Sequence, residues 1–301
     1  MKNKYCFVIV GATAAGKTYF AIQLARHFNT QIISADSRQC YKELNIGVAK
    51  PSPHNLEEIK HYFINTHSIQ QQVNAKLFET YANDAADIIF KENNVTVMAG
   101  GTGLYINAFC NGIDEIPVIN EDIKNNIISN FELKGIEWLQ NQVKKEDPVY
   151  FEKGETKNPQ RLMRALEVKR STGRSITEYQ KKQKKEKSFN IIKIGLELPK
   201  EQLHKNIDNR VDAMMRQGLL DEVRSLLPYQ HLNTLNTVGY RELFTHLNGE
   251  DSLNESVDKI KLNTRHYAKR QLTWFKKDKE IKWIDPSTDS ESFINTCLAF
   301  I

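Results

Sequence analysis

Eight consecutive residues carry the plainest chemistry in the chain: Gly11, Ala12, Thr13, Ala14, Ala15, Gly16, Lys17 and Thr18. They satisfy the pattern G-x-x-x-x-G-K-[ST] at every fixed position, between an apolar run, YCFVIV, and a helix-like run, AIQLARHF. Phosphate binding needs that order. Glycines let the backbone curl so that successive N–H groups point inward, and the helix that follows adds its positive end. Lys17 supplies a mobile cation for a terminal phosphate, and the Thr18 hydroxyl is placed to hold Mg²⁺. An ordinary strand-to-helix turn would leave a lysine at the crowded start of a helix without a reason. The cradle implies a diphosphate or a triphosphate and does not choose between them.

Two further junctions fall where strands should end. Ile32 and Ile33 read as a short buried strand running into the polar cluster Ser34 to Gln39. In a doubly wound sheet the carboxyl ends of the strands line the ligand crevice, so Asp36 should face whatever the loop binds, while Ser37 suits a helix cap. Val95, Val97 and Met98 form a second strand closed by GGTG. There the glycines would admit a ligand close to the backbone, and Thr102 is the one side-chain hydrogen bonder. His54, His61 and His67 lack metal-ligand spacing.

These pieces require an α/β core: a P-loop NTPase-like parallel sheet with a mostly helical insertion domain. A helix is expected from Ala75 to Lys91, and short strand character within HYFINTHSI. From Pro117 to about Lys187 strand-like runs vanish, and KNPQRLMRALEVKRSTGRSITEYQKKQKKEK is strongly basic, a nucleic-acid type of footprint. Arg161 and Arg164 share one helix face there. FNIIKIGLELP then restores a strand that should rejoin the sheet. Residues 1–116 and 188–301 would thus form one core and 117–187 an insertion. KEQLHKNIDNRVDAMMRQGLLDEVRSLL reads as a helix broken near Gly218, with Arg210 one turn from the core and able to reach the phosphates. Downstream, NTVGYRE is a glycine turn. His266, Tyr267, Trp274 and Phe275 then interleave with lysines and arginines, the combination that grips single-stranded or looped RNA.

Bulk properties agree. The 301 residues carry a net charge of +5, a mild excess, and no apolar run approaches the length of a membrane span. The apolar run Tyr5 to Val10 behind Lys2 and Lys4 imitates a signal peptide but is too short for one, so a cytoplasmic protein is expected. Cys6, Cys40, Cys110 and Cys297 lie far apart, which disfavours zinc sites and disulfides.

Taken together, GATAAGKT, SADSRQCY, IGVAKP, GGTGLY, NPQRLMRALEV, TVGYRE and RHYAKRQLTWF resemble, in order, the tRNA dimethylallyltransferase family (tRNA isopentenyltransferases). The resemblance implies transfer of a dimethylallyl group from its diphosphate to N6 of adenosine 37 in tRNAs reading codons that begin with U, giving N6-dimethylallyladenosine. It implies Asp36 as the base, with Lys17, Arg210, the loop amides and Mg²⁺ on Thr18 stabilising the diphosphate, and Thr102 near the acceptor. Contacts to tRNA are implied for Asp36, Ser37, Arg38, Gln39, Thr102, Gln160, Arg161, Leu162, Met163, Arg164, Gly239, Tyr240 and Arg241, with Lys124 where arginine is usual. The expected partners are the tRNA anticodon stem-loop and dimethylallyl diphosphate, with no membrane, the chain acting as a monomer. Ala15 replaces the family's usual serine and Ala12 its proline, which leaves the fixed loop positions intact. The competing readings are a small-molecule or nucleoside kinase, an adenylate isopentenyltransferase, and a non-catalytic RNA-binding protein.

Overall fold

A computed structural model describes residues 3–180 and 184–301. Lys2 of the signal-like segment and Lys181 and Lys182 of the basic run lie outside the described residues. The strands are β1 (Tyr5–Gly11), β2 (Ile32–Ser34), β3 (His61–Tyr62), β4 (Val95–Ala99), β5 (Asn190–Leu196) and β6 (Lys282–Ile284). They form one all-parallel sheet in the order β3-β2-β4-β1-β5-β6, with Ile9 opposite Ala99 on one side and Ile194 on the other. The fold is α/β and P-loop NTPase-like.

The helices are α1 (Lys17–His27), α2 (Pro53–Glu58), α3 (Ala75–Glu92), α4 (Gly103–Asn111), α5 (Glu121–Glu146), α6 (Pro148–Lys153), α7 (Pro159–Thr172), α8 (Ile176–Tyr179), α9 (Lys200–Arg216), α10 (Leu219–Ser225), α11 (Tyr240–Leu247), α12 (Leu253–Phe275) and α13 (Ser290–Leu298). The predicted break near Gly218 is the α9–α10 junction, where that glycine takes a left-handed φ of 97°. Within HYFINTHSI the strand is only two residues long.

β1 explains why both faces of the sheet must be covered. Its continuous apolar run has alternate residues buried in two separate cores. Phe7 and Ile9 join α1, α9 and α13 through Leu24, Ile207 and Phe293, whereas Cys6, Val8 and Val10 join α3, α4 and α11 through Phe78, Phe109 and Leu243. The carboxyl ends of β1 and β4, adjacent in space, define the crevice.

The contacts divide the chain into Met1–Asn111 with Glu186–Ile301, and Gly112–Lys185. The second unit is helical, with its own core of Ile127, Leu139, Val143, Leu162 and Leu166. Its α5 bends at Gly135, whose φ is 72°. α7 starts on an Asn158 cap with Pro159 in its first turn, and ends at Gly173 in the left-handed region. Among the described residues, no helix is long and apolar enough to cross a membrane.

Leu162 and Arg161 adjoin on α7 but face opposite ways, one wholly buried and one exposed. Leu162→Ala should therefore cost about 2–5 kcal/mol, and Arg161→Ala less than about 0.5 kcal/mol, in urea unfolding followed by circular dichroism.

Candidate active site

The loop after β1 is bent open by two left-handed residues, Ala14 at φ 62° and Gly16 at φ 91°. For alanine that conformation costs about 1 kcal/mol. Gly16 occupies the N-cap of α1 and no side chain caps the helix, so the first N–H groups of α1 remain open to an anion.

Four side chains hold the loop in this shape. Lys17 Nζ donates back to the Ala12 carbonyl at 2.7 Å. From α9, one turn apart, Asn206 Nδ2 donates to Ala14 O at 3.3 Å and Arg210 Nη1 to Thr13 Oγ1 at 3.3 Å. From α12, Gln271 Oε1 accepts from the Thr13 N–H at 2.8 Å while its Nε2 donates to Gly101 O at 2.9 Å. That single amide spans the phosphate loop and the loop after β4. Burial, reinforced by the charge of Arg210 and opposed by that of Asp36, brings the Lys17 ammonium down to about 7. Burial also lowers Arg210, with Asp36 pulling the other way. The site thus gathers the cationic groups Lys17 and Arg210 beside the carboxylate of Asp36.

Asp36 stands just past β2. Its Oδ1 accepts from the N–H groups of Arg38 (2.8 Å) and Gln39 (3.3 Å), an Asx turn that fixes the carboxylate. Asp36 shares one cavity of about 520 Å³ with Thr13, Lys17, Thr18 and Arg210. Met214, Leu219 and Val238 supply apolar wall, and Tyr267 and Gln271 line it from α12. Although 36% of its surface is exposed, Tyr267 turns its phenol to the cavity wall, where burial pushes it well above its ordinary value, with the charge of Asp36 adding to the effect, so it stays protonated.

Several expectations change. Of the GGTG glycines, Gly100 and Gly101 line the cavity as expected, and all three also make room for the protein itself: an added Cβ would lie 2.2 Å from Ala35 O at Gly100, 2.2 Å from Gln271 Nε2 at Gly101 and 2.3 Å from the Trp274 ring at Gly103. Thr102 is absent from the cavity wall. Its Oγ1 accepts from the Ser37 N–H at 3.0 Å and donates to Ser37 Oγ at 3.3 Å, bracing the Asp36 turn. Leu162 and Met163 belong to the core of the insertion, since a helix that turns Gln160 and Arg161 outward must turn the next two residues inward. Tyr240 is fully buried with its phenol on Glu222, and so presents nothing to RNA. Gly239 lines the cavity, and Arg241 is exposed and paired with Glu242 at 2.8 Å. Phe275 is core, whereas Trp274 and Tyr267 remain 42% and 36% exposed.

In the second unit, Arg164 pairs with Glu167 at 3.3 Å and Lys124 lies 3.4 Å from Glu121. Among the described residues there is no cluster of three or more His, Cys, Asp or Glu fit to hold a metal. Gln271, although it lies within RHYAKRQLTWF, and Asn206 had no role assigned to them in the sequence. The faint signal for Asn206 was its place four residues before Arg210 on one helix face.

The profile of the IPP transferase family matches residues 39–278. The chain is 44% identical to tRNA dimethylallyltransferase 1 of Bacteroides thetaiotaomicron, covering 94% of this chain and 92% of that protein. It is 43% identical to tRNA dimethylallyltransferase of Christiangramia forsetii, covering 97% of each. Among solved structures, the full-length tRNA isopentenylpyrophosphate transferase of Bacillus halodurans superposes with a TM-score of 0.72 at 30% identity, over 99% of this chain and 95% of that one. A eukaryotic dimethylallyltransferase acting on tRNA reaches 0.79 at 27% identity, over 97% and 76%. With this sheet, this loop and this cavity, the chain belongs to the IPP transferase family.

Proposed function

We propose that this chain transfers the dimethylallyl group of dimethylallyl diphosphate to N6 of adenosine 37 in tRNAs reading codons that begin with U. The observation that carries the reading is one cavity holding a fixed carboxylate, Asp36, together with a cationic, amide-lined nest and an apolar wall between helices. A diphosphate suits the nest, a five-carbon chain the apolar wall, and a purine amine the carboxylate.

The acceptor is weak, because the lone pair of an exocyclic adenine amine is delocalised into the ring. Asp36 takes its proton as the new C–N bond forms at the allylic carbon. The carbon–oxygen bond to the diphosphate breaks in the same displacement, and the electron pair leaves with the pyrophosphate. Lys17, Arg210 and the open N–H groups at the start of α1 stabilise that departing charge. The Asx turn keeps Asp36 aimed, and Gln271 holds the diphosphate loop at a fixed offset from the loop that braces Asp36.

Mg²⁺ fits this donor set. The exposed Thr18 hydroxyl in the same cavity is a hard oxygen, and Mg²⁺ is usually held by one or two protein oxygens plus substrate phosphates. When bound there, the ion would offset charge on the leaving diphosphate.

For tRNA docking we assign Arg38 at the cavity, and Gln160, Arg161, Arg164 and Lys124 on the insertion. The adenosine must leave its stack to reach Asp36, an extrusion that exposed Trp274 and Tyr267 suit by stacking.

Transfer of radiolabelled dimethylallyl to tRNA tests the reading, and Asp36→Asn should lower kcat by about 10²–10⁴-fold while diphosphate binding persists. Full activity in that variant removes Asp36 as the base. Because Lys17 sits near 7 in the free protein and must be protonated to pair with phosphate, affinity for dimethylallyl diphosphate should fall as pH rises from about 7 to 9, by up to about tenfold per pH unit. Calorimetric titration of Lys17→Met should give weaker binding without that slope. Arg161→Ala should flatten the salt dependence of tRNA binding by about one unit of log–log slope, read by filter binding.

A further inference from the structure

Glu222 lies on α10, in a stretch whose sequence reads only as helix, and off the wall of the cavity. Its carboxylate nevertheless collects four donors. Oε2 accepts from the N–H groups of Asn45 (3.2 Å) and Ile46 (2.7 Å), and Oε1 from the Gly47 N–H (3.1 Å) and the Tyr240 phenol (2.5 Å). Three successive backbone N–H groups converging on one anion form a nest, here filled by a side chain 175 residues away at Gly47. Gly47 has to be glycine, because a Cβ would stand 2.6 Å from the Tyr240 ring. Lys50 pins the far end of the same loop by donating to the Tyr41 carbonyl at 2.6 Å and to Asn45 Oδ1 at 3.2 Å.

The loop so fixed continues into the cavity. The carbonyls of Val48 and Ala49 both accept from Gln39 Nε2, at 3.2 and 3.0 Å, and both residues line the wall. Gln39 Oε1 accepts from Ser34 Oγ at 3.1 Å, and the Gln39 N–H donates to Asp36 Oδ1 at 3.3 Å. A path of hydrogen bonds joined by short lengths of backbone therefore runs from Glu222 through residues 45–49 and Gln39 to the carboxylate of Asp36. The bonds of that path do not touch Gly11 to Thr18.

We propose that Glu222, closed over by Tyr240, is a positioning residue for Asp36, holding the acceptor side of the cavity in register independently of the diphosphate side. The proposal rests on the transferase reading for its kinetic consequence. Loss of the carboxylate would leave the 45–47 N–H groups without their acceptor, let the loop relax, and take from Gln39 the carbonyls that orient it. Asp36 would then swing within its turn, and misplacement of about 1 Å at a reacting group can cost about a hundredfold in rate.

The test uses the full chain with Glu222→Gln, Tyr240→Phe, Gln39→Leu and the Glu222→Gln/Gln39→Leu double variant. Turnover, calorimetric binding of dimethylallyl diphosphate, and amide hydrogen exchange are measured on each. Glu222→Gln should lower kcat by about tenfold or more, with diphosphate affinity held within about twofold. Exchange should quicken over residues 36–39 and 45–49 and stay unchanged over 11–18. Since both substitutions cut one path, the double variant should lose less than about twofold beyond Gln39→Leu alone. Tyr240→Phe, which removes one donor, should show the same pattern more weakly and decides the matter if Glu222→Gln does not fold. Equal losses in kcat and diphosphate affinity, multiplying losses in the double variant, or unchanged exchange over 36–39 would each overturn the proposal. Should the unaltered protein fail to modify tRNA, the transferase reading falls alone, and exchange over 36–39 still decides whether Glu222 governs that turn.

Discussion

The loop between β1 and α1 must stay open ahead of a helix start that no side chain caps, with the Thr13 N–H held by Gln271. Such a loop resists no collapse by itself, and one of its bends falls on Ala14, in a conformation that alanine avoids. Its shape is imposed from outside. Asn206 and Arg210 reach it from α9, Gln271 from α12, and Lys17 folds back over Ala12. The same ring of side chains brings Lys17 and Arg210 together, and burial first, then the charge of Arg210, lowers the Lys17 ammonium.

The Asp36 side of the cavity is organised on the same principle with the charge reversed. Asp36 is held by backbone N–H groups of its own turn, that turn is braced by Thr102, and Gln39 is held in place by a loop wrapped around Glu222. Each half of the cavity is thus a short loop at a strand end, immobilised by residues from far along the chain. The rigid parallel sheet provides the common reference, because β1, β2 and β4 end side by side.

What could be read beforehand was local. A strand running into glycines, a lysine and a helix is a contiguous signal, as is a basic helical stretch between two parts of a sheet; the residues 11–18 cradle and the placing of Asp36 at a strand end follow from such signals. Small residues are ambiguous in a different way. The glycines of GGTG show that something comes close to the backbone, and only coordinates identify the visitors as Ala35, Gln271 and Trp274. Nor does a motif separate its members by direction: NPQRLMRALEV contains both exposed arginine and core leucine, and helical periodicity sorts them. The hold of Gln271 and of Glu222 on distant loops was illegible because those loops lie 170 and more residues away. No window of sequence contains both ends of such a bond.

The amide bridge from α12 has a consequence for biosynthesis. A ribosome delivers the chain from its N-terminal end, so Thr13 of the cradle emerges 258 residues before Gln271. Through most of translation the Thr13 N–H and the Gly101 carbonyl lack their common partner, and α9 is not yet there to shape the loop. A growing polypeptide would carry the recognisable motif long before it could hold a ligand in working geometry. The helix that completes the enclosure thereby acts as a timer, withholding competence until α12 has been made.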